Sequence, residues 1–353
     1  MAKLGRPKKD AGVEAGADAP VSPFNLQNFV KGLAKDRPDA EIQLLGDSDG
    51  EGSSFTVPWW IPTGMMSLDW VMGGGIPGGR LIEIFSNNPS EGKTAHCALF
   101  AAASQKAGGL VLLIDTESGT LIDRLETLGV DKTQLIVMQP DSMEKVFDSV
   151  DIFIKEARKS GFAGPLVILW DSVAATPTNS QVEATYEKEL YAPQARVLSA
   201  GMRKLMPTLR DNSATLICAN QTRENIGVSF GEQKSTVGGL GLKFYAHIRL
   251  ALARLSNVKN AATEITGIEI QVTAKKNKLT RPFKKTVYVL DFKDGFDYMG
   301  SEFALATEKG LIIENGKGYY SFTDMADVKF RESAYRDHRT PQFIEKLKAV
   351  VKV

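Results

Sequence analysis

An eight-residue loop between an apolar run and a helical pattern constrains this chain more than any other feature of its sequence. It follows the run at 81–85, precedes the helical period at 94–107, and reads Asn87, Asn88, Pro89, Ser90, Glu91, Gly92, Lys93, Thr94. Consecutive backbone N–H groups at a helix start form a nest that binds phosphate. In such a loop, Lys93 reaches the β- and γ-phosphates and the Thr94 hydroxyl ligates Mg²⁺. The pattern predicts a site for a nucleoside triphosphate.

The first residue of this loop departs from the usual G-x-x-x-x-G-K-T pattern, because Asn87 stands where glycine is expected. That glycine supplies an unusual backbone turn, and Asn is among the few other residues that tolerate positive φ. We therefore expect an intact loop in which Asn87 takes a positive φ. The alternative is a chance Gly-Lys-Thr sequence at the start of a helix.

Two further apolar runs end in carboxylates. The run at 166–171 ends in Asp171, a pattern in which the carboxylate holds Mg²⁺ through water. The run at 110–115 leads into Glu117, and a carboxylate at the carboxyl end of a strand can activate the water that attacks the γ-phosphate. The alternative for Glu117 is an acidic helix N-cap. Three such features in this order predict nucleotide hydrolysis.

Apolar runs and helical periods alternate between residues 80 and 255. Runs with few polar residues, separated by helices, are typical of a parallel sheet with both faces covered. The predicted strands are 81–85, 110–115, 135–139, 166–171 and 215–220, with a further helix at 142–159. After residue 245 the period becomes strand-like, which predicts added strands at 248–255, 268–274 and 286–292. The fold class is therefore α/β, with a mostly parallel sheet covered by helices.

Three segments flank this core, which we place at 57–292. They are a flexible basic tail (1–22), an oligomerisation helix with a linker (23–56), and a small C-terminal α/β domain (293–353). The basic start of the tail is either a solvated end or a contact with an A/T minor groove. Asn25 is the expected N-cap of a helix at 25–36, and an amphipathic helix is predicted at 341–351.

Composition limits the function classes. The chain has 43 basic and 42 acidic residues, so a surface that binds DNA would be a local stripe rather than a global field. Two cysteines and three histidines without a CxxC motif argue against a disulfide scaffold or a structural zinc site. An apolar run of membrane-spanning length and an apolar leader are both absent from the sequence. We expect a soluble cytoplasmic protein with no membrane partner.

The chain resembles the RecA family of DNA recombinases from about residue 63 to residue 283. The resemblance rests on an ordered series of segments: Gly78-Gly79-Arg80, Asp115-Thr116-Glu117, Leu128-Gly129-Val130-Asp131, Asn220-Gln221, Gly238-Gly239 and Lys276-Asn277-Lys278. It implies a RecA-type P-loop ATPase core that forms a helical filament on single-stranded DNA, with ATP and Mg²⁺ at each subunit interface. Pairing with homologous double-stranded DNA and strand exchange would follow.

The resemblance also implies roles for residues of the nucleotide site. Lys93 and Thr94 would bind phosphate and Mg²⁺, Glu117 would be the general base, and Asp171 would act on Mg²⁺. Gln221 would sense the γ-phosphate and couple it to the DNA loop that follows.

Further residues are implied to serve the neighbouring subunit and DNA. Lys276 and Lys278 would reach the adjoining subunit's ATP, and Lys243 and Phe244 would form the subunit contact. DNA would be held around loops at 181–197 and 222–237 by Tyr191, Arg196, Ser199, Arg203, Arg223, Ile226, Gly238 and Gly239. For Arg196 and Arg203 the alternative is a solvated helix face, since they are seven residues apart.

Several positions depart from the family pattern and indicate a divergent member. Arg124 replaces the tyrosine that stacks on adenine, although a guanidinium can also stack on a base. The incoming duplex would meet Ala253, Gln271 and Thr273 where relatives carry cations. These departures leave two alternatives open: a hexameric RecA-core motor or regulatory ATPase without strand exchange, and a structural filament.

Overall fold

The computed structural model describes residues 25–38, 42, 56–117, 122–184, 193–224, 234–236 and 240–352. The chain divides into two compact units, Met1–Phe55 and Thr56–Val353. In the first unit, α1 (Leu26–Asp36) begins after Asn25, whose side chain accepts a hydrogen bond from the Asn28 N–H at 2.9 Å. The predicted helix and its N-cap are confirmed, whereas the 1–22 tail lies outside the described residues.

The second unit is built on a ten-stranded sheet within the described part of the chain. A short hairpin-like pair precedes it, formed by β1 (Trp60–Ile61) and β2 (Ile76–Pro77) with α2 (Met66–Met72) between them. The strands of the main sheet are β3 (Leu81–Ser86), β4 (Leu110–Asp115), β5 (Leu135–Met138), β6 (Leu166–Asp171), β7 (Ala214–Glu224), β8 (Lys234–Thr236), β9 (Ile248–Lys259), β10 (Ile265–Asn277), β11 (Lys285–Asp291) and β12 (Gly295–Phe296).

The order of the strands divides the sheet into two parts. It runs β12, β11, β10, β9, β3, β7, β6, β4, β5, with β8 paired to β7. Strands β9, β3, β7, β6, β4 and β5 are parallel to their neighbours in this series. Strands β9 to β12 pair antiparallel with one another. The prediction of a mostly parallel sheet with added strands is therefore confirmed.

Helices cover both faces of the parallel part. They are α3 (Lys93–Lys106), α4 (Ile122–Thr127), α5 (Met143–Lys159), α6 (Asn179–Glu183), α7 (Pro193–Asp211) and α8 (Leu240–Tyr245). Alternate residues of one strand enter different cores: Val111 and Leu113 pack in the core with α3, whereas Leu112 and Ile114 pack in the core with α5 and α7. Because side chains alternate across a strand, two buried faces require the continuous apolar runs of the sequence.

Three strands are longer than the sequence predicted. β7 continues beyond Asn220 because its end pairs antiparallel with β8, from Thr222 opposite Thr236 to Glu224 opposite Lys234. β9 and β10 extend through polar, exposed residues because they pair with each other as a long hairpin. Backbone pairing, rather than apolar burial, sets these ends.

The C-terminal part forms a smaller sheet with its own apolar cluster. Its elements are α9 (Tyr298–Glu308), β13 (Ile312–Glu314), β14 (Tyr319–Phe322), β15 (Met325–Arg331), α10 (Tyr335–His338) and α11 (Pro341–Val351). Phe303, Phe322 and Phe343 belong to the cluster. The bounds of α11 are as predicted, and the Thr340 hydroxyl caps it by accepting from the Phe343 N–H at 3.2 Å.

Candidate active site

Four parallel strands end side by side at one edge of the sheet. Asp115 at the end of β4 is level with Asp171 of β6, and Ser86 of β3 is level with Gln221 of β7. A cavity of about 440 Å³ opens at this edge. Its lining brings together most of the predicted nucleotide-site residues: Pro89, Ser90, Gly92, Lys93, Thr94, Glu117, Arg124, Asp171 and Gln221.

The loop before α3 turns through two residues of positive φ, Ser90 at 60° and Gly92 at 90°. Asn87 is not one of them, so the expectation that it takes a positive φ is wrong. The turn lies later in the loop, at Ser90 and Gly92. The buried Glu91 side chain binds Asn88, near the beginning of the loop. Its carboxylate accepts from the backbone N–H of Asn88 at 3.3 Å and from the Asn88 side-chain amide at 2.9 Å.

Asn87 makes a contact of a different kind. Its side-chain oxygen accepts a hydrogen bond from the Thr222 hydroxyl at 3.0 Å. Thr222 follows Gln221 and begins the predicted DNA loop at 222–237. The residue that replaces the first glycine of the loop therefore links the phosphate loop to the end of β7.

Lys93 and Thr94 stand at the start of α3 and face the carboxylates. The buried Lys93 ammonium donates to Ser86 Oγ at 2.7 Å, and the Thr94 hydroxyl donates to Asp171 Oδ2 at 2.7 Å. Burial lowers the pKa of Lys93, against the opposing charges of Asp171 and Glu117. Burial raises the pKa of Asp171 to about 6, and the Glu117 charge adds to this rise. A cation at this place would relieve the buried carboxylate.

The donor set fits Mg²⁺ bound together with phosphate. The Thr94 hydroxyl and the Asp171 carboxylate are adjacent hard oxygen ligands. Over the described residues, no group of three or more His, Cys, Asp or Glu could hold a metal ion by itself. This agrees with the way Mg²⁺ is usually bound, through one or two protein oxygens plus substrate phosphates and waters.

Glu117 is held at the mouth of the cavity by the ends of β4 and β6. Its backbone N–H donates to Asp115 Oδ1 at 3.1 Å, and the Ser172 hydroxyl donates to its carboxylate. The Thr116 hydroxyl donates to the Ser172 carbonyl at 2.9 Å. Sequence reasoning did not give Ser172 a role, although it lies directly after the predicted Asp171. Its side chain fixes the Glu117 carboxylate in direction.

The far end of the cavity is apolar and has a cation beside an aromatic ring. The Arg124 guanidinium donates to the Phe292 carbonyl and lies 5.9 Å from the centroid of the Phe292 ring. Arg124 therefore lines the cavity, and its stacking on a base stays a prediction. Sequence reasoning missed the rest of this wall, which comprises Leu125, Leu128, Ile268, Leu290 and Phe292. An apolar lining with a guanidinium beside it suits a nucleobase.

Gln221 continues into a buried polar network. Its backbone N–H donates to Asn220 Oδ1 at 2.9 Å, and the Asn220 amide donates to Glu83 Oε1 at 3.0 Å. Glu83 forms an ion pair with Arg249, in which the side chains are 0% and 9% exposed. Arg249 in turn reaches the Thr236 hydroxyl at 3.5 Å. The network therefore connects Asn220 and Gln221 of β7 with Thr236 of β8.

The sequence of this chain matches the family model described as the RecA N-terminal domain over residues 26–297. The chain belongs to the RecA family. Similar RecA proteins include that of Chlorobium limicola (34% identical over 93% of this chain and 89% of the relative) and that of Nocardioides sp. (37% over 73% and 72%). A mitochondrial DNA repair protein recA homolog of Dictyostelium discoideum is 35% identical over 87% of this chain, which spans 65% of that relative's length.

RecA family members are ATPases that depend on DNA, bind single-stranded DNA and form filaments, so this chain is a RecA-type recombination protein that binds ATP. Its fold agrees with that assignment, because the P-loop, Glu117 and Asp171 meet at the carboxyl edge of a RecA-type sheet. Among the helices that the structure describes, none is long and apolar enough to cross a membrane.

The residues that the sequence predicted for a subunit interface gather at the end of α8. The Lys276 ammonium donates to the carbonyls of Lys243 and Phe244 at 2.8 Å each, and Lys278 donates to the Phe244 carbonyl at 3.3 Å. Burial lowers the pKa of Lys276 to about 8, and the Lys278 charge adds to this shift. The Phe244 side chain is 63% exposed. Neither Lys276 nor Lys278 is among the described residues that line the cavity.

The predicted DNA contacts fall into two groups. Arg196 and Arg203 are exposed on α7, whereas Ser199 packs against α8, where a Cβ added to Gly241 would lie 2.3 Å from its Oγ. The others lie outside what the structure describes, except that the backbone of Arg223 belongs to β7. Those outside are Tyr191, Ile226, Gly238 and Gly239.

Proposed function

We propose that this protein polymerises on single-stranded DNA with ATP clamped between neighbouring subunits, pairs the filament with homologous duplex, and exchanges strands. One observation carries the proposal: the cavity collects Lys93, Glu117, Asp171 and Gln221, whereas the two lysines of β10 and the segment after it stand apart, beside exposed Phe244. A site completed by the lysines of an adjoining subunit explains this division.

In this mechanism the loop N–H groups and the Lys93 ammonium bind the β- and γ-phosphates. Thr94 and Asp171 would hold Mg²⁺, which supplies positive charge against the phosphate oxygens. The Glu117 carboxylate, oriented by Ser172, takes the proton of the attacking water. The lysines of the neighbour, Lys276 and Lys278, stabilise the charge of the transition state.

The coupling to DNA would run through Gln221. Its side chain meets the γ-phosphate, and its backbone joins the network of Asn220, Glu83, Arg249 and Thr236. The predicted DNA loop follows Gln221 at one end of that network and contains Thr236 at the other end. The exposed Arg196 and Arg203 of α7 would bind strand phosphates.

We propose that duplex DNA is held less tightly than the single strand. Ala253 of β9 lies opposite Gln271 of β10, and both are uncharged, as is Thr273. The exposed cations Arg254 and Lys275 lie nearby in the same strands. Cytoplasmic action is also part of the proposal, since Cys97 and Cys218 are both free, buried thiols, as is usual in a reducing compartment.

The test measures ATP turnover with and without single-stranded DNA, formation of joint molecules with homologous duplex, and filament length by electron microscopy. We expect turnover to rise with DNA, joint molecules to form, and long helical filaments to appear. Lys93→Ala should abolish turnover, whereas Lys106→Ala, an exposed change in the last turn of the same helix, should not. An ATP turnover that is unchanged by saturating single-stranded DNA contradicts the proposal. Closed rings in the electron micrographs favour the hexameric alternative.

A further inference from the structure

A buried hydrogen-bonded chain backs the phosphate loop on the side away from the cavity. The His96 ring on α3 is fully buried. Its Nδ1 lies 2.7 Å from the Gly92 carbonyl oxygen, and its Nε2 lies 2.6 Å from the hydroxyl of Tyr288 on β11. The Tyr288 side chain is 3% exposed. None of these contacts is used by the chemistry described above.

The direction of each hydrogen bond follows from the acceptor at one end. A carbonyl oxygen only accepts, so Nδ1 of His96 carries the proton and donates to Gly92. In the neutral ring Nε2 is then the acceptor, and the Tyr288 hydroxyl donates to it. Full burial of the ring disfavours the charged imidazolium, which agrees with a neutral ring. By donating to Nε2, the Tyr288 hydroxyl therefore stabilises the tautomer of His96 that donates to the Gly92 carbonyl.

The Gly92 carbonyl determines where the next N–H group points. The peptide between Gly92 and Lys93 is planar, and in a trans peptide the C=O and N–H bonds point in opposite directions. The carbonyl accepts from the His96 backbone N–H at 3.0 Å as well as from Nδ1 of the ring, and both bonds hold it toward His96, so the Lys93 N–H is turned to the other side. As one of the first N–H groups of α3, it has no carbonyl partner within the helix and is available to phosphate.

The position of Gly92 leaves little freedom for this peptide to be held in another way. Its φ of 90° belongs to the left-handed region, and a Cβ at this residue would lie 2.8 Å from Ile270 Cδ1. The same strand that carries Tyr288 continues to Leu290 and to Phe292 just beyond it, which line the apolar end of the cavity. β11 thus lines the apolar end of the cavity through Leu290 and reaches the phosphate loop indirectly, through His96.

We propose that Tyr288 and His96 are positioning residues, which act through the Gly92 carbonyl to aim the Lys93 N–H at the triphosphate. The inference rests on the proposed nucleotide site and deepens it. Neither residue touches the nucleotide. The amide contact that they support exists in both the ground state and the transition state, so its loss changes substrate binding more than turnover at saturation.

The experiment compares Tyr288→Phe with Tyr335→Phe in the full-length protein. Both changes remove one buried hydroxyl, but Tyr335 donates to Glu302 at 2.7 Å in the C-terminal cluster. We expect Tyr288→Phe to weaken binding of a non-hydrolysable ATP analogue about tenfold and to raise KM for ATP similarly, with kcat changed less than about twofold. Tyr335→Phe should lower Tm by a comparable amount but leave the affinity for the analogue and the KM for ATP unchanged.

A spectroscopic readout tests the tautomer directly. The chain has three histidines, and the buried ring of His96 has an internal control in His247, whose Nδ1 accepts from the Leu81 N–H at 3.2 Å. His96 should therefore show a protonated Nδ1 in its ¹⁵N spectrum, and His247 a protonated Nε2. Substituting His96→Leu assigns the signal. In Tyr288→Phe the His96 pattern should change while that of His247 stays.

A double-mutant cycle separates a shared action from general damage. If Tyr288 acts only through His96, Tyr288→Phe added to His96→Leu weakens ATP binding no further. Additive losses, an unchanged affinity in Tyr288→Phe, or an equal loss in Tyr335→Phe would each overturn the inference. Failure of the proposed function is a different result: in that case the unaltered protein does not bind or hydrolyse ATP.

Discussion

The two parts of the main sheet contribute to the cavity in different ways. The parallel strands β3, β4, β6 and β7 deliver polar groups: Ser86, Asp115, Asp171 and Gln221 stand at or near their carboxyl ends. The antiparallel strands β10 and β11 line its apolar side, through Ile268 and Leu290. The charged and polar groups of the cavity therefore come mainly from the first part, and much of its apolar lining comes from the second.

The difference follows from strand direction. Parallel strands all end at the same edge, so a polar residue after each apolar run is placed beside the others without further contacts. Antiparallel strands end alternately at opposite edges, so they present their sides rather than their ends. The seam between the parts is the pair β3 and β9, where Glu83 lies opposite Arg249.

The largest expected effect tests the claim that the chemistry belongs to the parallel part. Glu117→Gln keeps the size of the side chain and its contact with Ser172 but removes the base, so hydrolysis should fall by about 10²–10⁴-fold. ATP binding should remain. Stopped assays of phosphate release with single-stranded DNA measure the rate. Glu126→Gln, an exposed change on α4, is the matched control, and a rate within twofold of the unaltered protein would remove Glu117 from the mechanism.

A second change addresses the seam. Glu83→Gln leaves the Arg249 charge buried without its partner, which should lower the free energy of unfolding by about 3–5 kcal/mol. Denaturation by guanidinium chloride measures it. The exposed pair of Lys348 and Glu345 gives the control, since Glu345→Gln should change stability by less than about 0.5 kcal/mol. Equal effects of the two changes would mean that the seam is not held by its ion pair.

A third prediction concerns pH and the metal side of the cavity. The pKa of Asp171 is about 6 in the free protein, so below pH 6 it holds a proton that Mg²⁺ must displace. Affinity for MgATP should be constant above pH 7 and fall below pH 6 by up to about tenfold per pH unit. Calorimetry between pH 5 and 8 measures this.

The control for this pH profile uses two asparagine variants. Asp171→Asn should bind more weakly at neutral pH and lose the decline below pH 6, whereas Asp148→Asn on the exposed side of α5 should keep it. If the affinity of Asp171→Asn for MgATP still declines below pH 6, the decline is caused by another group of the cavity.

The smallest expected effect lies between the phosphate loop and the end of β7. Thr222→Val removes the hydroxyl that donates a hydrogen bond to Asn87. Because this contact is exposed to solvent, stimulation of hydrolysis by DNA should change less than about threefold. The exposed change Thr133→Val serves as control. A loss above tenfold would mean that this contact, rather than the buried Gln221 network, transmits the nucleotide state.

The same division explains what could be predicted from the sequence. The strands 110–115 and 166–171 were predicted with their observed bounds, and Asp171 and Glu117 with them, because each signal is local in the chain. Phe292 was missed because it is an ordinary aromatic residue whose place beside Arg124, 168 residues away, depends on the order of the strands. Tyr288 and His96 are 192 residues apart, so no motif joins them.

The positive φ expected at Asn87 was wrong for a related reason. The loop's unusual angles fall at Ser90 and Gly92, and Gly92 stands against Ile270 of β10 and His96 of α3, which no local sequence signal shows. Residues 185–192 of the first DNA loop and residues 225–233 and 237 of the second lie outside the described residues, and the roles given to the loop side chains stay predictions.

The ammonium groups of Lys276 and Lys278 already have partners before any neighbour arrives. They donate to the last carbonyls of α8, which carry the negative end of that helix. In the proposed filament, a triphosphate from an adjoining protomer would therefore have to outcompete a partner that is covalently part of the same molecule. Adding a protomer would exchange one set of oxygens for another, so the net gain in free energy would be a difference, which would keep assembly reversible and responsive to loss of the γ-phosphate.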